Sequence, residues 1–403
     1  MCQELCGVRA CALLRDRNRS AAQDFNEDGP KPSQGSVREC YRLLFCEVKY
    51  FDFFAVMDLK GIGYALGAAW LFGASTPAAK MLLSDISPIP LSALLYGGAA
   101  LALSLYRLVR PGSREAQVSW RDLPLITGII VFGGILGPIL MLVGLSQVSA
   151  LAGSLLLNLE NPFTLIIAVG LMGEHLDRRE ALAAGAIMVG GALITFEPGY
   201  FGGRLAGAVE VTAACLSWAI DNNLTQRISL RDPVSVARIK TVAAASCLIV
   251  IAIAQSRGAV PPVRDLVWAV LVGTLCYGTS IVFDVRALRL LGAARESAYF
   301  ATAPFVGGLL SIVFFRDVPT VAETIGAIFM MVGVMSLLRE RHSHLHTHEL
   351  KFHEHMHVHD THHRHEHEDG VSEPHSHPHL HSGLTHDHPH VSDLHHHHSH
   401  RFI

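Results

Sequence analysis

Charge is what this 403-residue chain has least of: 17% of its residues are Asp, Glu, Lys or Arg, while half are apolar. That balance excludes an ordinary soluble domain and fits a chain that crosses a bilayer many times. Cysteines at knuckle spacing are also missing. Of eight, Cys2, Cys6, Cys11, Cys40 and Cys46 lie near the start and Cys215, Cys247 and Cys276 lie singly in apolar runs, with no Cys-x-x-Cys. A disulfide framework is therefore not expected, and the three later thiols read as small packing groups. No phosphate-binding loop occurs, so ATP-driven pumping is not indicated. Histidine is nearly absent from the first 341 residues: His175 is there, and the other 24 of 25 follow. Finally, residues 1–56 are expected to be neither a secretion leader nor a span. Residues 41–56 are partly apolar, but Arg42, Glu47, Lys49 and Asp52 interrupt them, and so short and charged a stretch neither crosses a bilayer nor directs export.

What is present is hydrophobic length. A span needs ~20 mostly apolar residues, and ten segments qualify, at about 61–82, 88–109, 123–145, 149–172, 179–196, 205–226, 233–254, 266–288, 292–315 and 319–338. Lipid offers no partner for backbone amides, so each segment is expected to be a helix that bonds within itself. The expected fold class is thus all-α and polytopic, with ten transmembrane helices. Met57 is followed by Asp58-Leu59-Lys60 and a clean apolar run. The simplest reading begins translation there, leaving residues 1–56 as a misassigned start or a disordered extension.

Basic residues set the expected orientation. Loops 107–122, 173–180, 227–232 and 286–295 hold eleven Lys or Arg, and loops 83–88, 146–149, 197–204, 255–265 and 316–318 hold four. The first set is expected to be cytoplasmic, which places both termini inside, in a bacterial inner membrane.

The sequence also repeats itself at an offset of about 143–145 residues. Ser87-Pro88-Ile89 echoes Asp232-Pro233-Val234, Arg121-Asp122-Leu123 echoes Arg264-Asp265-Leu266, and Gly190 falls on Gly333. Asn161-Pro162-Phe163 returns loosely as Ala303-Pro304-Phe305. Each half carries five spans, an odd number, so the halves run oppositely through the membrane: residues 57–197 and 198–341 form two inverted five-helix repeats. Transporters built this way hold substrate near the midplane, where the repeats meet.

Several of these motifs carry a resemblance. Trp70, Pro77 and Lys80 in the first span, the Asn-x-x-Asn-Pro-Phe from Asn158 to Phe163, and Gly173-Glu174-His175-Leu176 followed by Gly190-Gly191 all contribute. So does Leu290-Leu291-Gly292-Ala293-Ala294 through Ala303-Pro304-Phe305. With the repeat, the chain over residues 60–340 resembles the EamA-type drug/metabolite transporter superfamily, relatives of nucleotide-sugar and triose-phosphate translocators. It departs from that pattern at Asp317, where the family's second repeat usually has Glu, and in its long histidine tail. The resemblance implies alternating access and a small organic substrate.

Glu160 is the carboxylate placed near the middle of a span, with Asn158 and Asn161 beside it. A charge there costs on the order of 3 kcal/mol to insert, so it faces the bundle or a wet cavity, where it is suited to bind a proton or cation. A hydrogen-bonded structural cluster with the two asparagines is the plainer alternative. Trp218, Asp221 and Asn222 lie on the sixth span, and the repeat brings Trp218 near the position of Trp70, so both spans are expected to line one cavity. Asp221 pairs either with a cationic ligand or with Arg227. Lys80 either snorkels or meets a substrate anion. Asp284, Arg286, Arg289, Arg295 and Glu296 read as an ion-pair cluster where the eighth and ninth spans meet the cytoplasm.

The last part, residues 342–403, differs in kind. His342, His344, His346 and His348 alternate along the chain, as do His353, His355, His357 and His359. His375, His377, His379 and His381 form a third set, and His386, His388 and His390 a fourth. Alternate residues of an extended chain share a face, and imidazole suits Zn, Ni and Co. The tail is therefore expected to bind divalent metal and to stay disordered without it. His353-Glu354-His355-Met356-His357 formally spells the metalloprotease motif, a chance match in so biased a tract.

The reading is a secondary transporter exporting a small organic metabolite or drug, with a metal-binding tail. It is not an enzyme and needs no cofactor. Its partners are the bilayer and its substrate, with room for a homodimer and none for nucleic acid. The alternatives are a transporter of divalent Ni, Co or Zn, and a membrane-anchored metal sensor that no longer transports.

Overall fold

The computed structural model describes residues 59–110, 116–172, 178–196, 203–228, 231–255, 261–291 and 293–338, together with the backbone of 342–347, 351–357, 375–381 and 385–390. The expectations for residues 1–56, for Gly173 to Leu176, and for His348 and His359 fall outside these.

Among the described residues ten helical runs follow one another up to Leu338. They are α1 (59–82), α2 (Pro88–Val109), α3 (Trp120–Gln147), α4 (Ala150–Leu156, then Leu157–Leu159 and Glu160–Met172), α5 (Arg178–Thr195), α6 (Gly203–Gln226), α7 (Pro233–Gln255), α8 (Val263–Leu291, in three pieces), α9 (Ala293–Phe300 and Ala303–Phe315) and α10 (Val321–Leu338). Five of them, α2, α3, α4, α7 and α8, are long and apolar enough to cross a membrane. Leu105, Ile253, Trp268, Val313 and Phe314 are among many large apolar side chains left exposed, as a lipid-facing surface requires.

Four helices are irregular, and they match in pairs. The middle of α3 is a π-helical turn, Ile130–Leu136, and the middle of α8 is another, Gly273–Thr279. These lie 143 residues apart, the offset of the sequence repeat. Likewise α4 tightens to a 3-10 turn at Leu157–Leu159, and α9 breaks at residues 301 and 302. In each case a proline follows, Pro162 or Pro304, which cannot donate to the preceding turn.

Small residues let the two halves approach. Gly190 of α5 lies against the Gly326 carbonyl of α10, and Gly333 of α10 lies against the Ala183 carbonyl of α5. At an offset of 143, Ala183 corresponds to Gly326 and Gly190 to Gly333, so this contact is reciprocal. Gly144 of α3 and Gly207 of α6 each lie against the other's carbonyl, and Gly73 of α1 meets Ala303 and Gly307 of α9.

Polar bonds tie the helix ends at two levels. At one end Arg107 pairs with Asp232 at 2.8 Å and Arg231 with Asp122 at 2.9 Å. Asp232 also caps α7, accepting from the Val234 amide and the Ser235 hydroxyl. At the other end the Lys80 ammonium donates to the carbonyls of Leu145, Ser146 and Val148 at 2.7, 3.3 and 2.7 Å. It thus neutralises the negative end of α3.

Beyond α10 the backbone pairs again. Strands β1 (His342–Thr347) and β4 (Thr385–His390) are antiparallel, and so are β2 (Lys351–His357) and β3 (His375–His381). The sequence reading placed no strands there.

Candidate functional site

The π turn of α3 supplies the first element. A π turn carries an extra residue per turn and disturbs the in-line amide ladder, which leaves carbonyls to be satisfied from outside. The Gly133 carbonyl accepts from Tyr96 Oη of α2 at 2.7 Å and from Trp218 Nε1 of α6 at 3.2 Å. Gly133 must be glycine, since a side chain would collide with the Asp221 carboxylate. The Gly133-x3-Gly137 spacing, legible as a packing signal, thus makes room for a polar site.

One turn beyond Trp218, Asp221 is buried and forms an ion pair with Lys240 of α7. Its partner is therefore Lys240 and not Arg227, which stands exposed. Next to it Asn222 donates through Nδ2 to Glu160 Oε1 at 2.7 Å. Asp221 and Lys240 are close enough to act electrostatically on Glu160. One acidic residue on α4, an acid–amide pair on α6 and a lysine on α7 thus meet at the level where α3 and α4 are irregular.

The remaining expected residues divide. Asn158 is fully buried and donates to the Leu155 carbonyl at 3.0 Å and to Met330 Sδ at 3.8 Å. Its Oδ1 has no hydrogen-bond partner among the described residues. It holds α4 to α10 and does not join Glu160. Asn161 is exposed. Trp70, 51% exposed on α1, enters none of these bonds. Three participants escaped sequence reasoning: Tyr96, Lys240 and the Gly133 carbonyl. A lysine seven residues into an apolar span is itself a signal, and Lys240 was available to be read.

A second polar group lies at the junction of α8 and α9. Asp284 and Glu296 lie close enough to interact. Arg286 lies over the rings of Tyr64 and Tyr106, at 5.3 and 5.5 Å from their centroids, and donates to Tyr64 Oη at 3.2 Å. The expected ion-pair cluster is thus, for these three residues, a carboxyl pair beside an arginine held by tyrosines. The side chains of Arg289 and Arg295 fall outside the described ones. Among the residues whose side chains are described, no three of His, Cys, Asp and Glu gather as a metal site.

Comparison with known proteins places this geometry. The profile of the EamA-like transporter family matches twice, at residues 59–196 and 205–339. An "Uncharacterized transporter" of Methanothermobacter thermautotrophicus is 25% identical over 67% of this chain and 83% of its own length. "Uncharacterized transporter YyaM" of Bacillus subtilis is 23% identical over 67% of this chain and 91% of its own. A crystal structure of a protein superposes with a TM-score of 0.52 at 20% identity, over 70% of this chain and 96% of that one; such a likeness concerns fold alone.

Proposed function

This chain belongs to the EamA-like transporter family, and from that premise we propose that it is a secondary transporter of a small organic molecule, working by alternating access. Ten spans form two five-helix halves of opposite orientation. The reciprocal contact of α5 with α10 supports that arrangement. Contacts that exchange when the halves exchange are what a two-fold axis between antiparallel helices produces. The bias of eleven basic loop residues against four supports cytoplasmic termini in a bacterial inner membrane, and the direction is export.

The observation that carries the reading is the group formed by Glu160, Asn222, Asp221 and Lys240 beside the irregular turns of α3 and α4. Charged groups inside a membrane bundle are costly and are kept where they serve a pathway. Asp221 and Lys240 satisfy one another, whereas among the described residues the Glu160 carboxylate has an amide donor and no ion-pair partner. That leaves Glu160 able to take a proton or a cationic substrate group in one state and release it in the other. Trp218, beside the site, supplies a flat apolar wall.

The test is flux in proteoliposomes and a metabolite profile of cells with and without the gene. Glu160→Gln replaces the carboxylate by its isostere and is expected to abolish coupled transport while the protein inserts and folds as before. Wild-type flux in Glu160→Gln across pH 6–8 would overturn the coupling role.

The tail favours a second reading, divalent Ni, Co or Zn as substrate. Among the described side chains no three metal ligands gather, which weighs against it. We therefore assign the tail to binding divalent metal on the cytoplasmic side, as buffer or sensor, while the helices carry an organic substrate. A membrane-anchored sensor without transport would reveal itself as metal-dependent growth with no flux.

A further inference from the structure

We propose that the tail binds divalent metal between its two ends, through histidines that face histidines across paired strands, so that the ion closes the tail into a hairpin. The proposal rests on the reading of the tail as a metal binder and goes beyond it, because it says which histidines share an ion.

The observation is the register. In the first ladder His342 is opposite His390, His344 opposite His388 and His346 opposite His386. In the second, His353 is opposite His379, His355 opposite His377 and His357 opposite His375. Each of these six histidine rungs alternates with other residues: Ser343 with Pro389, Leu345 with Asp387, Phe352 with Leu380, Glu354 with Pro378, Met356 with Ser376. A strand has a period of two, so each ladder gathers its three histidine rungs on one face. The partner numbers sum to 732 in both ladders, for example 342 with 390 and 357 with 375. One register therefore runs through both.

Chemistry makes these positions a metal site. Directly opposite residues have Cβ atoms about 5 Å apart, and the next rung on the same face is about 7 Å along. Zinc takes four ligands at tetrahedral geometry with Zn–N bonds of about 2 Å. Two adjacent rungs bring four histidine positions together in the register, two from each strand. Histidines of a single strand supply them only in a row, a poor match to a tetrahedron. A two-stranded hairpin is marginal alone, and joining β1 to β4 also closes a long loop. The ion offsets both, so binding and pairing are one event. Acid reverses it: imidazole titrates near ~6.5, and below about pH 6 each rung becomes two like charges face to face. β1 begins four residues after α10 ends at Leu338, so closure fixes His390, otherwise the far part of the tail, to a point next to the helices.

The experiment uses the full chain in detergent micelles, titrated with zinc against a competing chelator, with amide hydrogen exchange read by mass spectrometry. Three variants are compared: H342A/H344A/H346A, H386A/H388A/H390A, and all six replaced. Each triple variant is expected to lose the same ions as the six-fold variant, at the same midpoint. Zinc is expected to slow exchange in both 342–347 and 385–390, and replacing the histidines of β1 alone is expected to abolish the slowing in β4. Losses that add between the two triple variants, or protection of β4 that survives in H342A/H344A/H346A, would overturn the cross-strand site while leaving a metal-binding tail. Absence of zinc binding to the intact chain would overturn both.

Discussion

The pair α4–α6 and the pair α9–α1 each join one helix of either half and correspond when the halves are exchanged, yet they are loaded differently. Matching Asn161-Pro162-Phe163 to Ala303-Pro304-Phe305 sets Glu160 against Thr302. Matching the two family segments, which begin at residues 59 and 205, sets Asp221 against Ser75. Both pairs have a broken helix, a proline and a close helix crossing. One pair carries carboxylates, and the other carries hydroxyls. Thr302 Oγ1 donates to the Tyr299 carbonyl at 2.6 Å, and Ser75 is buried and hydrogen-bonded to Tyr277. Duplication accounts for the shared backbone, because breaks and crossings belong to packing. At these matched positions the charge belongs to one pair only, with Glu160 from the first half and Asp221 from the second, and a pathway that binds one substrate at a time needs only one charged set.

The largest effect that tests this asymmetry is on the ion pair. Lys240→Met leaves the Asp221 carboxylate buried without its cation, and such breaks cost about 3–5 kcal/mol. Thermal unfolding in detergent is expected to drop accordingly, and the double variant Asp221→Asn/Lys240→Met is expected to recover most of the loss. The lysine side chain is 23% exposed, which favours the lower end of that range. If Lys240→Met unfolds like wild type, Asp221 is not a buried charge and the two pairs do not differ as described.

The scaffold was more legible than the site. Ten apolar runs, their repeat and Glu160 all follow from residue types and spacing, because bilayer thickness and the cost of buried charge act on each span separately. What sequence could not supply is which helices touch. Asp221 pairs with a lysine 19 residues on, in another helix, while the nearer Arg227 looked the obvious partner. The Gly133 carbonyl entered the site because a π turn freed it, and no side-chain pattern announces a π turn. Trp70 and Trp218 fall near one another in the repeat but differ in role. The paired strands depend on residues 342–347 meeting residues 385–390, a separation that alternation within each run says nothing about.

A middle-sized effect tests what the halves share. If the α5–α10 contact is reciprocal, Gly190→Val and Gly333→Val press the same kind of side chain against a carbonyl, of Gly326 in one case and of Ala183 in the other. Overpacking of this kind costs about 1–3 kcal/mol, and the two variants are expected to agree within about 1 kcal/mol in detergent unfolding. A large cost at one position and none at the other would remove the two-fold relation at this interface.

The smallest effect tests the uncharged pair. Thr302→Val keeps the β-branched shape and removes one hydroxyl, whose bond to the Tyr299 carbonyl lies within its own turn. A net neutral hydrogen bond is worth about 0.5–1.5 kcal/mol, and the Tyr299 carbonyl has the Thr302 amide at 3.1 Å as a second donor. The expected cost is therefore below about 1 kcal/mol, with flux close to wild type. The contrast with Glu160→Gln, the isosteric change at the corresponding position, is the useful quantity. A charge-bearing site predicts loss of flux on α4 and almost none on α9. Were Thr302→Val to stop transport as fully as Glu160→Gln, the break in α9 would be part of the pathway in its own right, and the site would extend to both helix pairs through its backbone geometry and not through charge held by one pair.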